Sequence, residues 1–318
     1  MIPHDSSVLF ETRAQGKLLL TGEYFVLDGA LALALPVRYG QTLRVAAAGE
    51  HLHWQSLDQQ GAVWFAATFA LPALEIRQTT DQQTAEVLGK ILLACQRLRP
   101  DFLTDSFGYS VTTQNDFPRD WGLGTSSTLI AALARWAGVD PYLVLFTTLG
   151  GSGYDLACAY ASGPIYYQLE NGAATVRAAS FYPAFAGQLY FVYLGKKQDS
   201  RAGIGHYRHH VQGNKDLIEK ISALTRRCVA ATHLMEFEAV LSEHERLVGE
   251  ALDLPRAKDL FFKDYWGAVK SLGAWGGDFV LVTSDRPMEE TRTYFNEKGY
   301  TVFIPYRDMT AFSSRLSS

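Results

Sequence analysis

The stretch Pro118-Arg-Asp-Trp-Gly122-Leu-Gly124-Thr125-Ser126-Ser127 runs without a break into an amphipathic pattern, and it constrains the fold more than any other part of the chain. Leu129, Ile130, Leu133 and Trp136 recur at three- and four-residue spacing, and Gly138 follows them, which predicts a helix closed by glycine. Glycines let backbone N–H groups turn toward an anion, and a helix N-terminus adds unpaired donors and the positive end of its dipole. Three successive hydroxyls, Thr125, Ser126 and Ser127, can bind phosphate oxygens or a magnesium ion. Helix capping alone accounts for one or two of them, but not for two glycines as well. Two familiar alternatives are disfavoured. Gly16-Lys17 is followed by Leu18, so there is no G-x-x-x-x-G-K-[ST] loop, and Ser127 stands where G-x-G-x-x-G needs its last glycine.

Around this loop the chain alternates strand and helix patterns. Lys17–Thr21 and Leu31–Leu35 read as buried strands, Thr42–Ala47 and His51–Gln55 as a hairpin about Gly49, and Phe107–Thr113 as a further strand. Thr84–Leu98 has helical spacing, and Asp140-Pro141 reads as an N-cap followed by proline at the first helical position. Ile165–Leu169 and Thr175–Ala178 are strands. The best boundary is Ser180–Pro183, giving domains 1–180 and 181–318, which suits 318 residues. The second domain reads as a strand at Leu189–Leu194, helices near 214–232 and 235–251, and another helix from Pro255 to about Ser271. A strand at Phe279–Thr283, a helix after Asp285-Arg286-Pro287 and a strand at Tyr300–Ile304 complete it. Strands mixed with helix pairs give an α+β class.

Hydrophobic residues make 47% of the chain and charged ones 19%, a globular balance, and the net charge of -4 argues against non-specific nucleic-acid binding. Three scattered cysteines suit a reducing compartment and exclude a disulfide framework. With no basic and apolar leader and no apolar stretch long enough for a bilayer, the expectation is a cytoplasmic protein without a membrane partner.

Three further segments carry chemistry. Gly150-Gly151-Ser152-Gly153-Tyr154-Asp155-Leu-Ala-Cys158 sets a carboxylate after glycines, where a substrate can approach the backbone; a helix N-cap Asp explains the same string. Gly273-Ala274-Trp275-Gly276-Gly277-Asp278 has more glycines than a strand entry needs. Gly16-Lys17-Leu-Leu-Leu-Thr21-Gly22-Glu23-Tyr24 begins a buried strand with a lysine, which needs an anionic partner such as Asp155. Gly195-Lys196-Lys197 with Arg201 offers cations for a substrate phosphate or carboxylate, or a solvated loop. His206, His209 and His210 have metal-like spacing, but no carboxylate or cysteine accompanies them.

Together the four glycine-bearing segments resemble the GHMP kinases, the group of galactokinase, homoserine kinase, mevalonate kinase and phosphomevalonate kinase. The motifs stand in family order across nearly the whole chain. Gly22-Glu23-Tyr24, Gly153-Tyr154-Asp155-Leu-Ala-Cys158 and the Gly276-Gly277-Asp278 ending look most like the phosphomevalonate kinase branch. The resemblance implies an N-terminal domain like ribosomal protein S5 domain 2 and a ferredoxin-like C-terminal domain. It implies ATP and Mg2+ as cofactors and a small acidic acceptor, mevalonate or 5-phosphomevalonate, in isoprenoid precursor synthesis. Lys17 and Asp155 would be catalytic. Gly122, Leu123, Gly124, Thr125, Ser126, Ser127, Gly273, Gly276 and Gly277 would hold the nucleotide, with Ser126 on the metal. Glu23, Tyr24, Ser152, Gly153, Lys196, Lys197 and Arg201 would serve the acceptor. A monomer or homodimer is expected. Asp120 and Trp275 replace usual loop glycines, the first bringing negative charge near the phosphates and the second narrowing the third loop. These departures leave open a kinase for another small alcohol, or a catalytically silent nucleotide-binding homologue.

Overall fold

A computed structural model describes residues 8–170, 172–196, 200–211, 213–273, 275 and 278–312; the side chains of 200–202 lie outside that description. The chain divides into two compact units. The first takes the described residues of Met1–Gly16, Tyr39–Arg119 and Gly124–Tyr160; the second takes those of Lys17–Arg38, Asp120–Leu123 and Ala161–Ser318.

The first unit is a sheet covered by helices. Its strands are the start of β1 (Val8–Thr21), the end of β2 (Ala32–Ala47), β3 (His51–Leu57), β4 (Val63–Ala70), β5 (Glu75–Thr79) and, after helix α1 (Gln82–Leu98), β6 (Tyr109–Asn115). Their order is β5-β4-β3-β6-β2, with β3 and β6 parallel and the other neighbours antiparallel. Alternation along these strands turns Leu43, Val45, Leu52, Trp54, Phe65, Phe69 and Val111 inward, against Leu88, Ile91 and Leu92 of α1. Helices α2 (Thr125–Ala137), α3 (Pro141–Thr148) and α4 (Tyr154–Cys158) complete the unit. Asp140 caps α3 through the Tyr142 N–H, as the Asp-Pro pair implies.

The expected hairpin of β2 and β3 does not form, because β6 lies between them. The turn that joins them bonds to Gly108 instead, with Ala48 N–H donating to its carbonyl and Gly108 N–H donating to Gly49 O. A Cβ on Gly108 would stand 2.2 Å from His51 O, so only glycine admits that approach. Strands β4 and β5 have no counterpart in the sequence reading.

In the second unit the start of β2 pairs with β7 (Ile165–Glu170), which pairs in turn with β8 (Ala173–Ala178). Pro36 falls between the residues β2 pairs with β7 and those it pairs with β6. After β9 (Leu189–Tyr193) come helices α5 (Ser200–His210), α6 (Lys215–Ala230), α7 (Leu234–Leu252) and α8 (Ala257–Phe261). Strands β10 (Val269–Ser271) and β11 (Phe279–Thr283), helix α9 (Met288–Glu297), strand β12 (Phe303–Pro305) and helix α10 (Tyr306–Met309) follow. The four strands form an antiparallel sheet in the order β10-β11-β9-β12. The helix expected to run to Ser271 stops at Phe261, because the chain beyond it is claimed by β11. Val269 pairs with Val282, and Tyr265 OH donates to Thr283 O at 2.7 Å. Phe262 and Tyr265 still pack inward, around Phe295. Among the described residues no helix is long and apolar enough to cross a membrane.

Candidate active site

In the second unit, three segments distant in sequence meet at one point. Lys17 is buried in β1; its Nζ donates to Gly122 O at 3.3 Å, and its N–H donates to Leu123 O at 3.0 Å. Gly122 has φ 66°, and a Cβ there would stand 1.9 Å from Asp278 Oδ2. The carboxylate of Asp278 therefore rests against the bare backbone of Gly122, beside the carbonyl that receives the lysine. Asp278 is itself held at the entry to β11, where its carbonyl accepts the Leu194 N–H at 2.8 Å. Trp121 anchors the loop, its ring edge-on to Phe279 at 5.5 Å and near Tyr193 at 6.3 Å. Tyr193 OH donates to Asp120 O at 3.1 Å. Burial, with the Asp120 carboxylate next, raises the Tyr193 pKa, so the phenol stays a donor.

In the first unit, Gly124 is the N-cap of α2 in the left-handed region, φ 94°, with no side-chain cap bond. Thr125, Ser126 and Ser127 form the first turn rather than capping it, with Ser126 exposed. The Asp155 turn behaves alike. Gly153 is the N-cap of α4 and Asp155 lies in the first turn, half-buried, so its carboxylate is not the cap. Ser152 is buried beside it, and α2 and α4 pack together.

The remaining expected site residues fall as follows. Glu23 is sealed in the interior, its carboxylate bonded to Lys270, and Tyr24 OH accepts the Trp275 N–H at 2.9 Å. Trp275 does not narrow a loop: its ring packs with Tyr24, Phe25, Tyr207 and Leu252, and its Nε1 donates to Pro255 O. Gly273 has φ 66° and faces open space. Lys196 is exposed after β9. Lys197, Gly276 and Gly277, and the side chain of Arg201, lie outside the described residues. No group of three or more His, Cys, Asp or Glu arranged for a metal occurs among the described residues, and His206 bonds instead to Leu252 O at 2.6 Å.

Sequence reasoning missed the buried charges of the second unit. Lys270, Glu245 and His244 are almost wholly inaccessible. A signal was present. Phe237, Val240, Leu241, His244, Glu245 and Val248 share the buried face of α7, so the helical period already placed two polar residues inward. Around Glu23, burial outweighs the neighbouring ammonium and pushes its pKa up to about 7; Glu245 is also raised by burial. His244 is held neutral by burial, and its Nε2 accepts the Gly22 N–H at 3.0 Å.

No family model matches the sequence, and no curated relative matches it. Solved structures do. The Methanococcus jannaschii mevalonate kinase superposes with TM-score 0.67 at 12% identity, over 93% of this chain and 96% of that one. The Streptococcus pneumoniae phosphomevalonate kinase, in complex with phosphomevalonate and AMPPNP, gives 0.68 at 15% identity over 93% and 99%. The Lactococcus lactis galactokinase complexed with galactose gives 0.63 at 11% identity over 93% of each chain. The chain has the GHMP kinase fold. Its α+β class and the likeness first seen in four short motifs are thereby established, and the GHMP kinase fold is spanned over nearly the full length of each neighbour.

Proposed function

We propose that this chain is an ATP-dependent kinase of the GHMP family that phosphorylates a small acidic metabolite, mevalonate or 5-phosphomevalonate. The observation that carries the reading is the meeting of Lys17, Gly122 and Asp278, residues of three separate motifs, at one point in a GHMP kinase fold. In this proposal the domains are 1–180 and 181–318. Gly122, Leu123, Gly124, Thr125, Ser126 and Ser127 receive the nucleotide phosphates at the uncapped start of α2. Gly273, Gly276 and Gly277 close on the nucleotide.

Phosphoryl transfer needs little covalent work from the protein, so positioning and charge neutralisation carry it. Asp155 orients the acceptor and takes the proton when the nucleophile is a hydroxyl. The acceptor oxygen bonds to the γ-phosphorus as the bond to the β-phosphate oxygen breaks, and ADP leaves. Lys17 offsets the charge on the transferred group. The carboxylate of Asp278 beside Gly122 adds negative charge there, so bound phosphates need cations. Magnesium fits this demand: it takes few protein oxygens, and the exposed Ser126 hydroxyl offers one; when bound it neutralises phosphate charge. Ser152, Gly153 and Tyr24 shape the acceptor side, with Lys196, Lys197 and Arg201 for its anionic group, while Glu23, sealed on Lys270, supports Tyr24 from within. The protein acts in the cytoplasm as a monomer or homodimer.

The rival class, a silent nucleotide-binding homologue, loses the support of Trp275, whose ring turns into the helical core, and keeps only the exposed Asp120. A kinase for another small alcohol remains the nearer rival. A coupled ADP-release assay with mevalonate, 5-phosphomevalonate, homoserine and galactose tests the reading. Turnover with either mevalonate compound is expected. Turnover with homoserine or galactose alone moves the assignment within the family, and nucleotide binding without turnover on any acceptor removes the kinase reading.

A further inference from the structure

The turn at Tyr24 is strained. Its φ of 61° and ψ of -47° lie where a non-glycine residue rarely rests, and Phe25 N–H closes the turn on Glu23 O at 2.7 Å. Such a turn persists only where its surroundings over-determine it, and here they do so from both sides. Gly22 N–H is taken by His244, Tyr24 stacks on Tyr207 with centroids 6.1 Å apart, and Tyr24 OH receives the Trp275 N–H. Beneath the turn, Lys270 donates to Glu23 and to the carbonyl of Ser271, with Glu245 Oε1 at 3.1 Å. Glu245 in turn accepts the Ser271 N–H at 3.1 Å and its hydroxyl at 3.2 Å. The Glu23-Tyr24 turn and the segment leading into Gly273 are thus tied twice, once through Lys270 and once through the buried bond between Tyr24 and Trp275.

We propose that Glu23, Lys270 and Glu245 are positioning residues, a clasp that holds the strained Tyr24 turn to Ser271 and Trp275 so that these are set before ligand binds. Only the identity of that ligand rests on the kinase reading above; the clasp rests on these bonds. Two carboxylates face one ammonium, so the cluster is one charge out of balance when both are ionised. Glu23 Oε2 has no hydrogen-bond partner among the described residues and lies 3.5 Å from His244 Nε2, the imidazole's accepting nitrogen. A proton on Glu23 removes that charge imbalance and the repulsion between its carboxylate and the electron-rich ring nitrogen. Among the described residues, Cys228 of α6 and Tyr24 also act electrostatically on Lys270 and Glu23, and Asp278 acts on Tyr24. A Glu23 pKa near 7 places the relief at neutral pH. The clasp is therefore tight when Glu23 is protonated and looser above that pH.

Hydrogen–deuterium exchange on the full chain, corrected for intrinsic rates, reads this without any substrate. Lys270→Met is expected to speed exchange at 22–26, 271–273 and 275 at least tenfold more than it speeds exchange at 109–115 of the first unit. If that variant fails to fold, Glu23→Gln carries the test. The wild type should show exchange at the same segments rising through pH 7, and Glu23→Gln should flatten that rise, an effect that loss of packing alone does not produce. Unchanged exchange in Lys270→Met, or a pH profile identical in Glu23→Gln and wild type, overturns the clasp. An absence of phosphoryl transfer in the wild type would sink the kinase reading and leave these outcomes as they stand.

Discussion

Two buried lysines divide the labour of the second unit. Lys17 retains a little exposure, 8%, and its ammonium reaches the carbonyl of Gly122 where the Asp278 carboxylate also arrives. Lys270 has none, and its ammonium is enclosed by Glu23, Glu245 and the Ser271 carbonyl. Both pay the desolvation cost of a cation, yet the first stands at the meeting of three sequence motifs and the second behind them. Burial of a charge alone does not mark a reacting group; what matters is whether its neighbours leave it an outlet.

The contrast can be broken by mutation. Removing the sealed lysine leaves uncompensated buried carboxylates, so Lys270→Met should lower unfolding stability by about 3–5 kcal/mol in urea titration. Next, Lys17→Met and Asp155→Asn should each cut turnover at least about 100-fold with the fold retained, read by steady-state kinetics beside circular dichroism. A Lys17→Met chain that unfolds as readily as Lys270→Met would erase the distinction. Gly122→Ala comes third: the added Cβ collides with the Asp278 carboxylate and sits at positive φ, costing about 1–3 kcal/mol. Its effect should be weaker affinity for a non-hydrolysable ATP analogue in calorimetry.

A comparable effect is in pH. A carboxyl whose pKa rises from 4.5 to about 7 on folding binds more protons in the native state, so it makes stability fall as pH climbs between those values and level off above. Denaturation at pH 5 and pH 7.5 should show that decline in the wild type and a reduced one in Glu23→Gln. Equal slopes would place the titration elsewhere.

Much of this was legible in the sequence where local chemistry decides the outcome. The glycines ahead of α2, the Asp140-Pro141 cap and the strand at Phe279–Thr283 follow from residue types and spacing, and the structure bears them out. The order of four motifs pointed to the fold. What escaped was decided by distant partners. Whether β2 pairs with β3 depends on β6, some fifty residues later, and whether Tyr265–Ser271 coils or extends depends on β11. The clasp joins Glu23 to Lys270 and Glu245, more than two hundred positions away; the period of α7 turns Glu245 inward, but Glu23 and Lys270 each read alone as surface.

Transfer of label from γ-phosphate-labelled ATP to mevalonate or 5-phosphomevalonate, compared between wild type and Asp155→Asn, tests the central claim most directly. The account predicts a labelled acceptor from the wild type and a rate at least about 100-fold lower from the variant. An unlabelled acceptor pool from a wild-type chain that binds the nucleotide, or equal labelling by both proteins, would contradict it.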